Sequence, residues 1–144
     1  MTHPIAGGCH CGEVRYRITG EPSLQQFCYC TDCTKIGGTD GYAGYIVNAD
    51  DFEVTQGKTR AYTLTSARKS LIHRHFCGIC GTRLFADVEN FGGVVSVAAG
   101  TFDDPSVYTP IRSNRPESAP PWARFSDRFA DDTDTPHPLD QISK

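Results

Sequence analysis

Short alternations of apolar and polar residues recur along the chain. None keeps a helical period for a dozen residues. EVRYRI (13–18) alternates and predicts a strand. GYAGYIV (41–47) predicts another, with glycines that point to close backbone approach. RAYTLT (60–65) and KSLIHRHF (69–76) alternate again, linked by SAR, and RLFADV (83–88) and GGVVSVAAG (92–100) add two more. Only TDCTKIGG (31–38) reads as a helical turn, capped by Thr31 and stopped by its glycines. The expected class is mainly β, built from short antiparallel strands and turn-rich joins.

Beyond Gly100 the alternation dissolves into a run that carries five of the nine prolines. This run is expected to lie extended over the surface, tied down where Tyr108, Trp122 and Phe125 find pockets. From Asp131 the chain is polar and reads as a disordered tail. The expected organisation is one domain over 5–130 and a tail over 131–144, with no internal repeat apart from the cysteine clusters.

Composition narrows the setting. Apolar residues make up 38%, enough for a lean core. No apolar run approaches the ~20 residues of a membrane span. The opening MTHPIAGG lacks the basic-then-apolar order of a secretion signal, so a cytoplasmic, reducing location is expected. Seven cysteines in such a compartment are poor disulfide candidates, and an odd number cannot all pair. Their short spacings point to metal instead. The formal charge is −3 with no basic run, which disfavours nucleic acid as a partner. Nothing in the sequence speaks to oligomeric state.

The cysteines fall in three clusters: GGCHCGEV (Cys9, Cys11), FCYCTDC (Cys28, Cys30, Cys33) and HFCGICGTRLF (Cys77, Cys80). In the third, C-x-x-C followed by Gly reads as a zinc knuckle, with Gly78 and Gly81 permitting the turn. It supplies half a tetrahedron. Cys9 and Cys11, projecting to one face of an extended segment, can supply the other half. That closed four-cysteine site would pin the N-terminal segment to a distant hairpin, and its binding free energy would count toward folding. Cys28, Cys30 and Cys33 then stand alone. Three protein ligands with an open fourth position is how catalytic zinc is held. A dithiol redox pair and a structural site completed by His10, His73, His75 or Asp32 remain alternatives for this trio.

The three motifs in this order resemble the glutathione-dependent formaldehyde-activating enzyme family, which includes centromere protein V. The resemblance runs from about Ile5 to Phe125, and the late PPWARF resembles the family's C-terminal Trp element. It implies an Mss4-like β fold, a structural zinc on Cys9, Cys11, Cys77 and Cys80, and a second, exchangeable zinc on Cys28, Cys30 and Cys33. The implied activity is that of a zinc-dependent carbon–sulfur lyase, of the S-hydroxymethylglutathione synthase kind, acting on an adduct of a small thiol such as glutathione with an aldehyde. Tyr29 stands where the family often has His, Lys35 is the near cation where Arg or Gln is common after the third cysteine, and Thr82 stands where Ser is frequent.

Three sulfurs make a zinc a weak Lewis acid, better suited to holding a thiolate than to activating water. Asp32, Tyr29, Lys35 and His73 are the candidates for proton transfer or carboxylate binding. A pocket beside Cys30 and Cys33 lined by Phe27, Tyr42 and Tyr45 would favour an enzyme. A flat, closed metal site would favour a non-catalytic binding module, and a thiol or metal sensor is the third option.

Overall fold

A computed structural model describes residues 4–66, 68–90, 93–123 and 134–138. Among these residues, ten strands and one short α-helix carry the fold: β1 (Ile5–Gly8), β2 (Arg15–Ile18), β3 (Leu24–Cys28), α1 (Thr31–Gly37), β4 (Tyr42–Asn48), β5 (Phe52–Gln56), β6 (Thr59–Thr65), β7 (Leu71–Cys77), β8 (Arg83–Val88), β9 (Val94–Ala98) and β10 (Arg112–Asn114). They form a three-stranded sheet, β1-β2-β5, and a seven-stranded sheet, β10-β3-β4-β9-β8-β7-β6. Every pairing is antiparallel except that of β10 with β3. A family of short, mainly antiparallel strands is what the alternations predicted.

Four strands lie outside those alternations. In β3 the buried positions are Leu24, Gln26 and Cys28, so a polar residue occupies the inward face and breaks the apolar period. β1 is half glycine, and β10 has three residues. FEVTQ of β5 does alternate, and the signal was there to read. The helix also differs at its start. Its cap is Cys30, whose Sγ accepts the amide of Cys33 at 3.2 Å, and Thr31 is already helical. Gly38 stops it in the left-handed region, at φ 69°.

One core cluster draws on both sheets. Val14, Tyr16 and Ile18 from the small sheet and its approach meet Tyr45, Val47, Leu84, Val95 and Val97 from the large one, and Cys9 and Cys77 sit in the same cluster. Phe52 of β5 packs against Phe85 of β8 with ring centroids 4.6 Å apart. The buried Tyr16 hydroxyl finds Thr101 Oγ1 at 2.6 Å. A Cβ on Gly7 would lie 2.4 Å from that hydroxyl, so β1 can pass the tyrosine only as glycine.

The segment beyond Gly100 is more regular than expected. Its β10 adds a parallel edge strand in which Asn114 stands opposite Cys28. Tyr108 is tied down, donating to the carbonyl of Gln26 and packing on the core. Trp122 is 63% exposed and fills no pocket, and Phe125 lies outside the described residues. Of the tail, 134–138 is described: His137 is buried and its Nε2 lies 3.1 Å from Gln26 Nε2. The remainder of 131–144 lies outside the described residues. No helix among the described residues is long and apolar enough to cross a membrane.

Candidate metal centres and the adjoining cavity

Two turns bring the first four cysteines together. Cys77 ends β7, and the chain reverses through Cys80 into β8. The amide of Ile79 donates to Cys77 Sγ at 3.4 Å, and that of Gly81, at φ 79°, donates to the Cys77 carbonyl at 2.9 Å. Gly81 therefore supplies the left-handed angle. Gly78 serves differently: its φ is not positive, but a Cβ there would meet the Arg60 side chain at 2.7 Å. Cys9 and Cys11 lie in the reversal between β1 and β2, not on an extended segment. Gly12, at φ 83°, closes that reversal onto the Cys9 carbonyl, and the Val14 amide donates to Cys9 Sγ at 3.2 Å. Thr82 joins the two turns, accepting the amide of His10 at 3.1 Å and contacting Cys80 Sγ at 3.2 Å.

The sulfurs of Cys9, Cys11, Cys77 and Cys80 all lie within 4.8 Å of one another. Cys9 and Cys11 are 3.6 Å apart, and Cys11 and Cys77 3.8 Å. A disulfide needs about 2.05 Å. Four sulfurs placed tetrahedrally about 2.3 Å from one ion stand roughly 3.8 Å apart, close to these two separations. Thr82 hydrogen bonds hold the Cys80 thiol down at about 5. The group can hold a metal ion, and it clasps the β1–β2 hairpin of one sheet to the β7–β8 hairpin of the other.

The remaining three cysteines converge at the N-terminal end of α1. Cys28 closes β3, Cys30 caps α1, and Cys33 is buried one turn on. Their sulfurs also lie within 4.8 Å of one another. No histidine, carboxylate or further cysteine among the described residues joins them within that distance, so His10, His73, His75 and Asp32 do not complete a fourth position. The two strand histidines are engaged elsewhere. His73 bridges Thr63 and Glu89, each at 2.8 Å, and His75 bridges Thr59 at 2.8 Å and Asp87 at 2.6 Å.

Side chains from other strands serve the trio. Asn114 Nδ2 donates to Cys28 Sγ at 3.1 Å, a consequence of the parallel register of β10 with β3. Arg74 Nη2 lies 4.0 Å from Cys33 Sγ. Arg83 stacks on the Tyr42 ring, 4.4 Å from its centroid, and burial lowers its pKa. Hydrogen bonds from the Cys28 and Cys33 thiols pull Cys30 down to about 2, while the same neighbourhood and burial push Cys33 up. Thiols this close oppose one another's ionisation, and a bound cation would let all three ionise.

Cys30 also forms part of the wall of a cavity of about 410 Å³. The wall is not the aromatic one anticipated. Tyr45 is buried in the core, and Phe27 and Tyr42 are absent from the lining. Arg68, Arg74, Arg112 and Arg115 line it instead, with Asp32 the one carboxylate among the described lining residues. Of the four proton-transfer candidates, Asp32 alone reaches this cavity. Tyr29 is fully buried, Lys35 is exposed outside the lining, and His73 is held by Glu89. Sequence reasoning missed Arg74, Arg83 and Asn114; the only local signal was Arg83, which directly follows C-x-x-C-G-T.

Residues 4–116 match the sequence profile of a family described as "Glutathione-dependent formaldehyde-activating enzyme". A Halomonas elongata protein named "Putative glutathione-dependent formaldehyde-activating enzyme" is 28% identical over 145 residues, covering 97% of this chain and 92% of that protein. A solved Rhodobacter sphaeroides protein shares the fold with a TM-score of 0.59 at 18% identity, covering 76% of this chain and 99% of that one.

Proposed function

The chain belongs to the glutathione-dependent formaldehyde-activating enzyme family, and from that premise we propose that it is a zinc-dependent carbon–sulfur lyase-type enzyme acting on adducts of a small thiol with an aldehyde. The observation that carries the reading is the three-cysteine group with no fourth ligand among the described residues, opening through Cys30 onto a cavity. The four-cysteine group is the structural zinc of a single Mss4-like domain over 5–130, and the three-cysteine group holds the second, exchangeable zinc. Thiolate sets of this size suit zinc.

Bound there, zinc supplies an open position that favours the deprotonated form of an entering thiol. The chain's own residues do the rest. Asn114 and the Cys33 amide fix the Cys28 and Cys30 sulfurs. Arg74 and Arg83 offset thiolate charge beside Cys33. Asp32 takes the proton leaving the thiol sulfur. As the sulfur–carbon bond forms and the carbonyl double bond opens, the aldehyde oxygen takes a proton back, and the reverse order releases both partners. Exchange spectroscopy of formaldehyde and larger aldehydes with a panel of thiols tests this. Acceleration by the metal-loaded protein, lost on chelation and restored by zinc, is the expected result. No acceleration across the panel would favour the non-catalytic module.

Proton release tests the ligation itself. Four thiolates on one Zn²⁺ leave two negative charges and three leave one, so the loaded chain stands three charges below its formal −3, near −6. Loading the metal-free protein in unbuffered solution should therefore acidify it, and affinity should fall as pH falls, because protons compete for the sulfurs. Loading without proton release would contradict thiolate ligation at both groups.

A further inference from the structure

We infer that the outer edge of β6 is a self-association surface, on which a second copy of this chain pairs its own β6 antiparallel across a two-fold axis at Tyr62. The inference does not depend on the chemistry of the cysteine groups. β6 ends the seven-stranded sheet, and no other strand among the described residues lies on its far side. Two turn hydrogen bonds fix which backbone groups face that side. The amide of Ser66 donates to the Ser70 carbonyl at 2.8 Å, and that of Glu89 donates to the Leu71 carbonyl at 2.9 Å. Thr65 stands opposite Leu71, so antiparallel alternation turns the backbone groups of Arg60, Tyr62 and Leu64 toward β7. Thr59, Ala61, Thr63 and Thr65 then point their N–H and C=O groups outward.

Unpaired edges are usually blunted by short strands, bulges, proline or charge. Two other edges follow that rule. β10 has three residues, and β1 is four residues long, half glycine, and bridged to Phe102 through Gly7. β6 has seven residues, as long as any strand among the described residues, with no proline and Arg60 as its one charge. Its register with β7 runs unbroken from Thr59 to Thr65. Two cross-strand ladders brace it: Thr63 to His73 to Glu89, and Thr59 to His75 to Asp87. The edge is therefore held straight, with its donors and acceptors presented to solvent.

The strand is its own complement. Tyr62 is its middle residue, and centring the axis on any other residue leaves one end unpaired. In this register Thr59 meets Thr65 and Ala61 meets Thr63 as hydrogen-bonded pairs, using all four outward residues of each chain. On the opposite face Arg60 meets Leu64 and Tyr62 meets Tyr62, so no like charges stand opposite. The Tyr62 ring, 58% exposed, lies diagonal to Arg60 of the second copy and within reach of its guanidinium. Such an interface is the same patch used twice, as a closed two-fold dimer requires.

The test is sedimentation equilibrium of the metal-loaded protein from about 1 μM to 1 mM, with hydrogen exchange at both ends of that range. A monomer–dimer equilibrium is expected, and the amides of Thr59, Ala61, Thr63 and Thr65 should exchange more slowly as concentration rises. Ala61→Pro removes an outward amide and no bond to β7, and should weaken association about 100-fold because the change enters the interface twice. Tyr62→Lys and Tyr62→Glu each set like charges face to face at the axis and should weaken it at least about tenfold. An equimolar mixture of those two variants should recover the dimer, because opposite charges then meet. A protein that stays monomeric to about 1 mM would overturn the proposal. Protection of those four amides that ignores concentration would do the same, since the chain's own residues would then cover the edge. A dimer indifferent to Ala61→Pro and to both Tyr62 variants, or a mixture that stays monomeric, would also overturn it.

Discussion

Cys77→Ser is expected to leave no soluble folded protein. Cys77 is 1% exposed, sits in the core cluster, and its sulfur shares a four-sulfur group with those of Cys9, Cys11 and Cys80. That group joins the turn of the small sheet to a turn of the large one, so it fixes how the two sheets meet. A structural zinc contributes on the order of 10–16 kcal/mol of apparent binding free energy. A domain of this size has a net stability of roughly 5–15 kcal/mol. Losing one of four ligands removes a term as large as the whole margin. The serine hydroxyl buried in its place costs a further ~1–3 kcal/mol. Circular dichroism and metal content of the purified variant give the readout. Cys77→Ala and Cys11→Ser separate the causes, because alanine buries no hydroxyl and Cys11 is exposed and outside the core cluster. All three should fail alike if the metal is the staple. A folded Cys77→Ser with an unchanged melting temperature, or a well-folded Cys77→Ala, would remove the structural zinc from the account.

The cysteine groups were legible in the sequence because ligation depends on residue identity and short spacing, both of which survive in one dimension. Cys77 and Cys80 form a turn whatever their strands do, and the glycine after them declares the angle it needs, φ 79° at Gly81. The alternating strands were legible for the same reason, since one face of each is buried. What could not be read is what register decides. Asn114 reaches Cys28 only because a three-residue strand pairs in parallel with β3. Arg74 and Arg112 lie 38 residues apart and line one cavity only through the order β10-β3-β4-β9-β8-β7. A buried Gln26 hid β3 from an apolar pattern, although that strand carries the first cysteine of the trio. The helix cap was misassigned to Thr31 because threonine is a common cap, whereas Cys30 offers its sulfur to the Cys33 amide in the same way.

That cap sets the expected behaviour of Cys30→Ser, which should fold and lose its chemistry. Serine is among the preferred N-caps, so its hydroxyl can accept the Cys33 amide that Cys30 Sγ now accepts. The position is half-buried, and Cys30 is absent from the core cluster. The neighbouring supports, Asn114 on Cys28 and Arg74 beside Cys33, do not depend on the Cys30 sulfur. The change in stability should therefore stay within about 1 kcal/mol, the scale of one helix cap. Metal content should fall from two equivalents per chain to one, because two sulfurs and a hydroxyl make a poor site for a soft metal. Loss of a supporting residue around a metal already costs about 10–100-fold, so loss of a ligand should reduce thiol–aldehyde exchange at least 100-fold. Thermal unfolding, zinc content and exchange rate on one preparation distinguish the outcomes. A Cys30→Ser protein that unfolds as readily as Cys77→Ser would make the second group another staple. The three sulfurs would then hold the end of β3 to α1, and the non-catalytic module would be the better account of the chain.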